Sequence, residues 1–259
     1  MNCRNCQSPL RTDYSFCHAC GAKIIRNRLT FKNLFYDFTE RYFNVDNTFL
    51  KTFLHLFTKP HEVIVGYISG VRKKYLNPIS YLGIALTLSG VTLFVMRKAN
   101  MDIDYDLFNT GMDSKAMKQI QDFTFDYNSI LFVSYIPMMA LASWLTLKEI
   151  GLRFTERIVV FMYSMSQYSI LIFLPSILLL LLMPQKYMTL SSIAFLFIFI
   201  YNGWIIKKIS GLKGIAIAAH AFLFIILFLF QFLLIYSILL PILMFATGAI
   251  DIQDFAPKS

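Results

Sequence analysis

Cys3, Cys6, Cys17 and Cys20 are the only cysteines in this 259-residue chain, and their spacing speaks directly of chemistry. Each Cys-x2-Cys is a tight turn that aims two thiolates at one point. Two such turns supply four sulfurs, the ligand set of a tetrahedral, closed zinc site. A closed shell leaves no position for water, so the pattern points to a structural ion rather than a catalytic one. The ten residues between the pairs are fewer than the usual fifteen to twenty, which predicts a minimal hairpin ribbon. So short a unit is expected to have no apolar core of its own and to draw its folding energy from Zn2+. Iron in the same four-sulfur shell is the alternative. A thioredoxin-type redox pair lacks its βαβ setting. His18, inside the second knuckle, reads as solvated or as a donor to a bound sulfur. The first thirty residues contain no signal-peptide-like apolar stretch, so the thiols are expected in the reducing cytosol.

The usual catalytic patterns are missing. The chain has no GxSxG, no HExxH and no phosphate-cradling Walker loop. His55 and His61 lie near a helix end and just beyond a proline, and read as interfacial. Six aspartates between 97 and 128 (Asp102, Asp104, Asp106, Asp113, Asp122, Asp126) do not follow the EF-hand spacing and read as a solvated acidic loop. The expectation is a protein that is not an enzyme.

The rest of the chain must place that cysteine head. Hydrophobic residues make up 57% and charged residues 15%, against about 25% charged in soluble domains. Lipid must therefore cover part of the apolar surface. Five stretches free of Asp, Glu, Lys and Arg are long enough to span: 78–96, 129–147, 158–183, 189–206 and 216–246. The third and fifth exceed the roughly 20 residues a bilayer needs, so each is expected to tilt, kink or emerge. Pro175 and Pro241 are the expected kink points. The fifth reads equally as one span or as a span plus a broken end.

Eighteen Lys and Arg fall on one side of these spans, including Arg72–Lys74 and the 148–157 loop with Arg157, and six on the other. The positive-inside rule then puts the N-terminus in the cytosol of a bacterial inner membrane and the C-terminus outside. Trp144 and Trp204 fall at cytosolic span ends, where indoles favour the interface. The charge of +9 is thus mainly topological. It favours anionic lipid on the cytosolic face, and no separate basic patch with interleaved aromatics argues for nucleic acid.

Residues 26–77 read as three short amphipathic helices. Thr30 would cap the first, with Phe31, Leu34, Phe35, Phe38 and Tyr42 on one face. Thr48 would cap the second, with Phe49, Leu50, Phe53, Leu54 and Phe57 as its stripe. Pro60 suits the first turn of the third, with Glu62 near its positive end. Two readings stand: helices lying in the interface, or a small helical layer packed on the membrane body.

Within the spans, Gln167, Asn202, His220 and Gln231 form a candidate intramembrane polar site, with Ser164, Ser166 and Ser169 nearby. They read either as a solute path or as hydrogen bonds between helices, worth about 0.6 kcal/mol each. No carboxylate or cation accompanies them, and no inverted repeat is apparent.

The Cys-x2-Cys pair, FCHACG at 16–21, NVDNTFLKTFLHLFTKP at 44–60 and YISGVRKKYLNP at 67–78 occur in that order. Together they resemble the bacterial membrane proteins catalogued as domain of unknown function 3667, over about the first 95 residues. His61 departs from the glycine that often follows the motif proline. The resemblance implies an architecture and no activity. From Gly151 to Pro175 and from Tyr201 to Gly214 the chain is more weakly similar to five-span Yip-type membrane proteins, which implies a cytosolic N-terminus and five helices.

The expected fold class is an all-α polytopic membrane protein. It divides into a zinc ribbon (1–25), juxtamembrane helices (26–77), a transmembrane bundle (78–246) and an external tail (247–259). Its expected partners are the lipid bilayer and a protein docked on the ribbon. The competing functions are a small transporter or channel and, last, a lipid-modifying enzyme.

Overall fold

The computed structural model describes residues 2–3, 5–21, 24, 45–98, 119, 122–211, 214–246 and 248. The helix expected at 31–42, most of the acidic loop and all of the external tail but residue 248 lie outside them. The chain divides into two compact units, Met1–Asp46 and Asn47–Ser259. Among the described residues all regular structure is helical, apart from an isolated antiparallel bridge between Asn2 and Pro9.

In the larger unit, two short helices precede the spans: α1 (Val45–Thr58) and α2 (Pro60–Ile68). Pro60 lies in the first turn of α2, where its missing N–H costs nothing, and Glu62 follows at the positive end. Thr48 is not a cap. The helix starts earlier, at Val45, so Thr48 is already inside it and its carbonyl accepts from the Thr52 hydroxyl at 2.6 Å.

Five further helices are long and apolar enough to cross a membrane. They are α3 (Pro78–Lys98), α4 (Asn128–Thr146), α5 (Phe154–Leu182), α6 (Tyr187–Ser210) and α7 (Ile215–Leu234). Pro137 and Pro175 both sit inside continuous helices. The long fifth stretch does not run as one regular helix. It passes into a π-helical turn at Ile235–Leu239 and then into α8 (Leu240–Ala246). Pro241 has no N–H to give and its ring crowds the preceding turn, so the wider turn falls just before it.

The helix α5 has 29 residues and so a length of about 44 Å, against a hydrocarbon core of about 30 Å. Val160 and Tyr163, in the first part of α5, pack with α1 and α2. Leu56, Val63, Ile64 and Tyr75 from the short helices and their loop share one buried cluster with Tyr81, Val160, Tyr163, Tyr201 and Ile205 from α3, α5 and α6. The short helices are therefore a layer packed on the helical body. Leu50 and Leu54 remain exposed on the outer side of α1. Further along, Leu82, Met139, Phe161, Phe224 and Phe228 knit α3, α4, α5 and α7 into a second core.

Candidate metal centre

The two cysteine pairs are built alike. In the first, the Gln7 N–H donates to the Cys3 carbonyl at 2.9 Å; in the second, the Gly21 N–H donates to the Cys17 carbonyl at 2.9 Å. Closing each turn forces the residue after it into the left-handed region, at φ 61° for Gln7 and 70° for Gly21. Glycine adopts that conformation freely; glutamine does so at a cost. Within each turn, backbone N–H groups aim at the first sulfur: those of Cys6 and Asn5 at Cys3, those of Cys20 and Ala19 at Cys17.

The turns bring all four Sγ atoms within 4.8 Å of one another. Cys3 and Cys20 lie 3.7 Å apart, and Cys6 and Cys17 3.6 Å apart, without disulfide bonds. Sulfurs at 2.3 Å from a tetrahedral ion would stand about 3.8 Å apart. The donor set thus fits a zinc-sized tetrahedral ion.

Ser8 was not legible as part of this site. Its hydroxyl lies 2.9 Å from Cys6 Sγ and 3.4 Å from Cys17 Sγ, and donates to whichever is a thiolate. That hydrogen bond, reinforced by the Cys20 backbone N–H, pulls the Cys17 thiol down to about 5. The same hydroxyl, with the Ser8 backbone N–H, lowers Cys6. His18 is exposed and meets the Tyr14 ring edge-on. The unit also has a small core, contrary to expectation: Leu10 is buried with Cys3 and Cys17, and Tyr14 and Ile24 pack against them. The sulfurs themselves supply much of it.

The structure does not gather the four intramembrane polar candidates into one site. Gln167 is fully buried; its Oε1 accepts from the Tyr81 hydroxyl and its Nε2 donates to the Phe53 carbonyl at 3.1 Å. It therefore ties α1 to α3 and α5. Asn202, also fully buried, accepts from Ser164 at 2.6 Å and donates to the Ile198 carbonyl at 2.8 Å. His220 holds its own helix through the Ala216 carbonyl, 2.7 Å away, and lies 3.8 Å from Glu149. Gln231 Oε1 is buried with no hydrogen-bond partner among the described residues.

Arg157 corrects the reading of the 148–157 loop. It is not a loop charge but part of the first turn of α5, and only 2% exposed. Its guanidinium donates to the Ser143 carbonyl and hydroxyl, at 2.8 and 2.7 Å, and to the Leu147 and Leu152 carbonyls, at 2.7 and 3.1 Å. These acceptors surround the C-terminal end of α4, whose dipole favours a cation. Charge counting alone had no means of separating this arginine from its exposed neighbours.

A second cluster lies on the short helices. Glu62 accepts from Lys74 at 3.1 Å and from the Tyr75 hydroxyl at 3.3 Å. The Tyr75 proton being used there, His55 Nδ1, 2.7 Å away, donates to the Tyr75 oxygen. The Lys74 ammonium holds the Glu62 carboxyl below its ordinary range.

The family model described as Protein of unknown function (DUF3667) matches residues 46–90. The match covers α1, α2 and the first half of α3, begins after the cysteines, and bears out the family resemblance read from the motifs. No curated protein and no solved structure matches the chain, and the Yip-type likeness finds no support in them.

Proposed function

We propose that this DUF3667 chain is a non-enzymatic integral protein of the bacterial inner membrane, with its N-terminus in the cytosol and its C-terminus outside. Its four-cysteine unit holds one structural Zn2+ and serves as a docking module for a cytosolic protein. The observation that carries this reading is the sulfur tetrahedron, with cross-pair distances of 3.7 and 3.6 Å. A shell closed by four thiolates stabilises a fold and offers no open position for a substrate. Phe16, beside Cys17, is 56% exposed, which gives the unit an aromatic anchor of the type that dominates binding energy in interfaces. The full internal use of Gln167 and Asn202 supports an architectural role for the bundle.

Photo-crosslinking in living cells from position 16 of the full chain tests the proposal. A discrete cytosolic adduct that disappears in Cys17→Ser is the expected result. No adduct, or one unchanged by Cys17→Ser, would count against docking through a metal-held unit.

A further inference from the structure

We propose that the cavity between α3, α4 and α5 binds an uncharged, hydroxyl-bearing lipid amphiphile. The cavity has a volume of about 210 Å3. An apolar cavity of about 150 Å3 holds a benzene ring, so this one takes a small head group or the start of an acyl chain. It lies in the half of the bundle remote from α1 and α2, which the proposed topology places in the outer leaflet. Along α3 it runs from Ser89 to Met96, about 10 Å of helix.

The lining states the chemistry. Ser89, Thr92, Asn128, Tyr168, Ser169 and Ser176 contribute hydroxyl and amide groups, and the lining contains no Asp, Glu, Lys, Arg or His. Hydroxyls and carboxamides both donate and accept, which matches ligand hydroxyls and esters. Thr92 and Ser169 donate to the Leu88 and Ala85 carbonyls, at 3.1 and 3.3 Å, and their oxygens remain acceptors. The Ser89 hydroxyl donates to Asn128 Oδ1 at 3.2 Å, and the Asn128 amide nitrogen remains a donor. Arg97 and Asp126 adjoin the lining residues Met96 and Phe125, but they neutralise each other at 2.6 Å. A phosphate or carboxylate head would enter without a countercharge, at the cost of an unpaired buried ion.

The remaining lining favours a lipid over a water-soluble polyol. Leu93, Met96, Phe132 and Phe173 supply apolar walls.

A diazirine-bearing monoacylglycerol, photolysed with the full-length protein in phosphatidylcholine nanodiscs, tests the site. Saturable labelling should map to the 89–96, 124–132 and 168–176 segments, be competed by monoolein and resist oleate. Asn128→Leu should reduce it about tenfold and Tyr168→Phe about threefold, with metal content and thermal unfolding unchanged. Labelling spread evenly over the spans, equal competition by oleate, or wild-type labelling in both variants would overturn the proposal. Metal content read on the same samples keeps this outcome separate from that of the cysteine unit.

Discussion

The N-terminal unit and the helical bundle organise buried polar atoms by opposite means. In the unit, four sulfurs converge on one point and share their core with Leu10, Tyr14 and Ile24. In the proposed zinc-bound state, removing the ion would leave four thiolates facing one another and take away the reason for the fold. In the bundle, polar atoms are dispersed. Gln167, Asn202 and Arg157 each satisfy backbone or side-chain groups of a neighbouring segment, while the apolar clusters draw their members from several helices. The contrast teaches that loss of one ligand should be all-or-none in the first region and graded in the second.

The largest effect should come from metal removal. Chelation, or Cys17→Ser, should unfold residues 2–24 completely, since the binding free energy of a structural zinc, about 10 kcal/mol or more, is folding free energy. Amide exchange should then rise throughout that unit and stay unchanged over 78–246. Protection persisting in metal-free protein would erase the contrast.

Arg157→Met should cost the bundle about 3 kcal/mol, because it strips donors from carbonyls that stay buried. Thermal unfolding in detergent measures this. Arg157→Lys should recover only part of the loss, since an ammonium cannot reproduce the guanidinium fork. Gln167→Leu should cost about 1–2 kcal/mol, through the orphaned Tyr81 hydroxyl and the lost tie to the Phe53 carbonyl. Limited proteolysis should then cut α1 before any transmembrane helix.

Smaller effects sharpen the view of the cysteine unit. Ser8→Ala should weaken zinc binding about tenfold, the usual scale for partners of metal ligands. The sign with pH is set by Cys17, whose folded thiol sits at about 5, below its ordinary value of about 8.5. The stabilisation tied to its thiolate is complete above that ordinary value and is lost as pH falls through about 5. Zinc release on acidification should therefore move to higher pH in Ser8→Ala. Gln7→Gly should stabilise the unit by about 1 kcal/mol, because it relieves the left-handed glutamine at φ 61°. Chelator competition read against unfolding would show it.

The sequence made some of this legible and not the rest. Long charge-free runs announce themselves, so five apolar helices were readable from composition alone. The cysteine spacing was equally plain, because each pair acts within four residues. Ser8 carries no signal of its own, because serine is common and its role depends on the chain path that brings it to Cys17. Arg157 was misread for a related reason: a charge beside a span looks the same whether it meets water or the end of another helix. Thr48 is no cap because α1 begins three residues before it, at Val45; a good capping residue type does not by itself fix where a helix starts. The separate fates of Gln167, Asn202, His220 and Gln231 depend on which helices are neighbours, and no periodicity along one helix reports that.

The most direct test is metal analysis of the full chain purified from native membranes without added metal. One zinc per chain, lost together with the folded N-terminal unit in Cys17→Ser, is the predicted result. Stoichiometric iron in place of zinc, or a folded unit carrying no metal, would contradict the account.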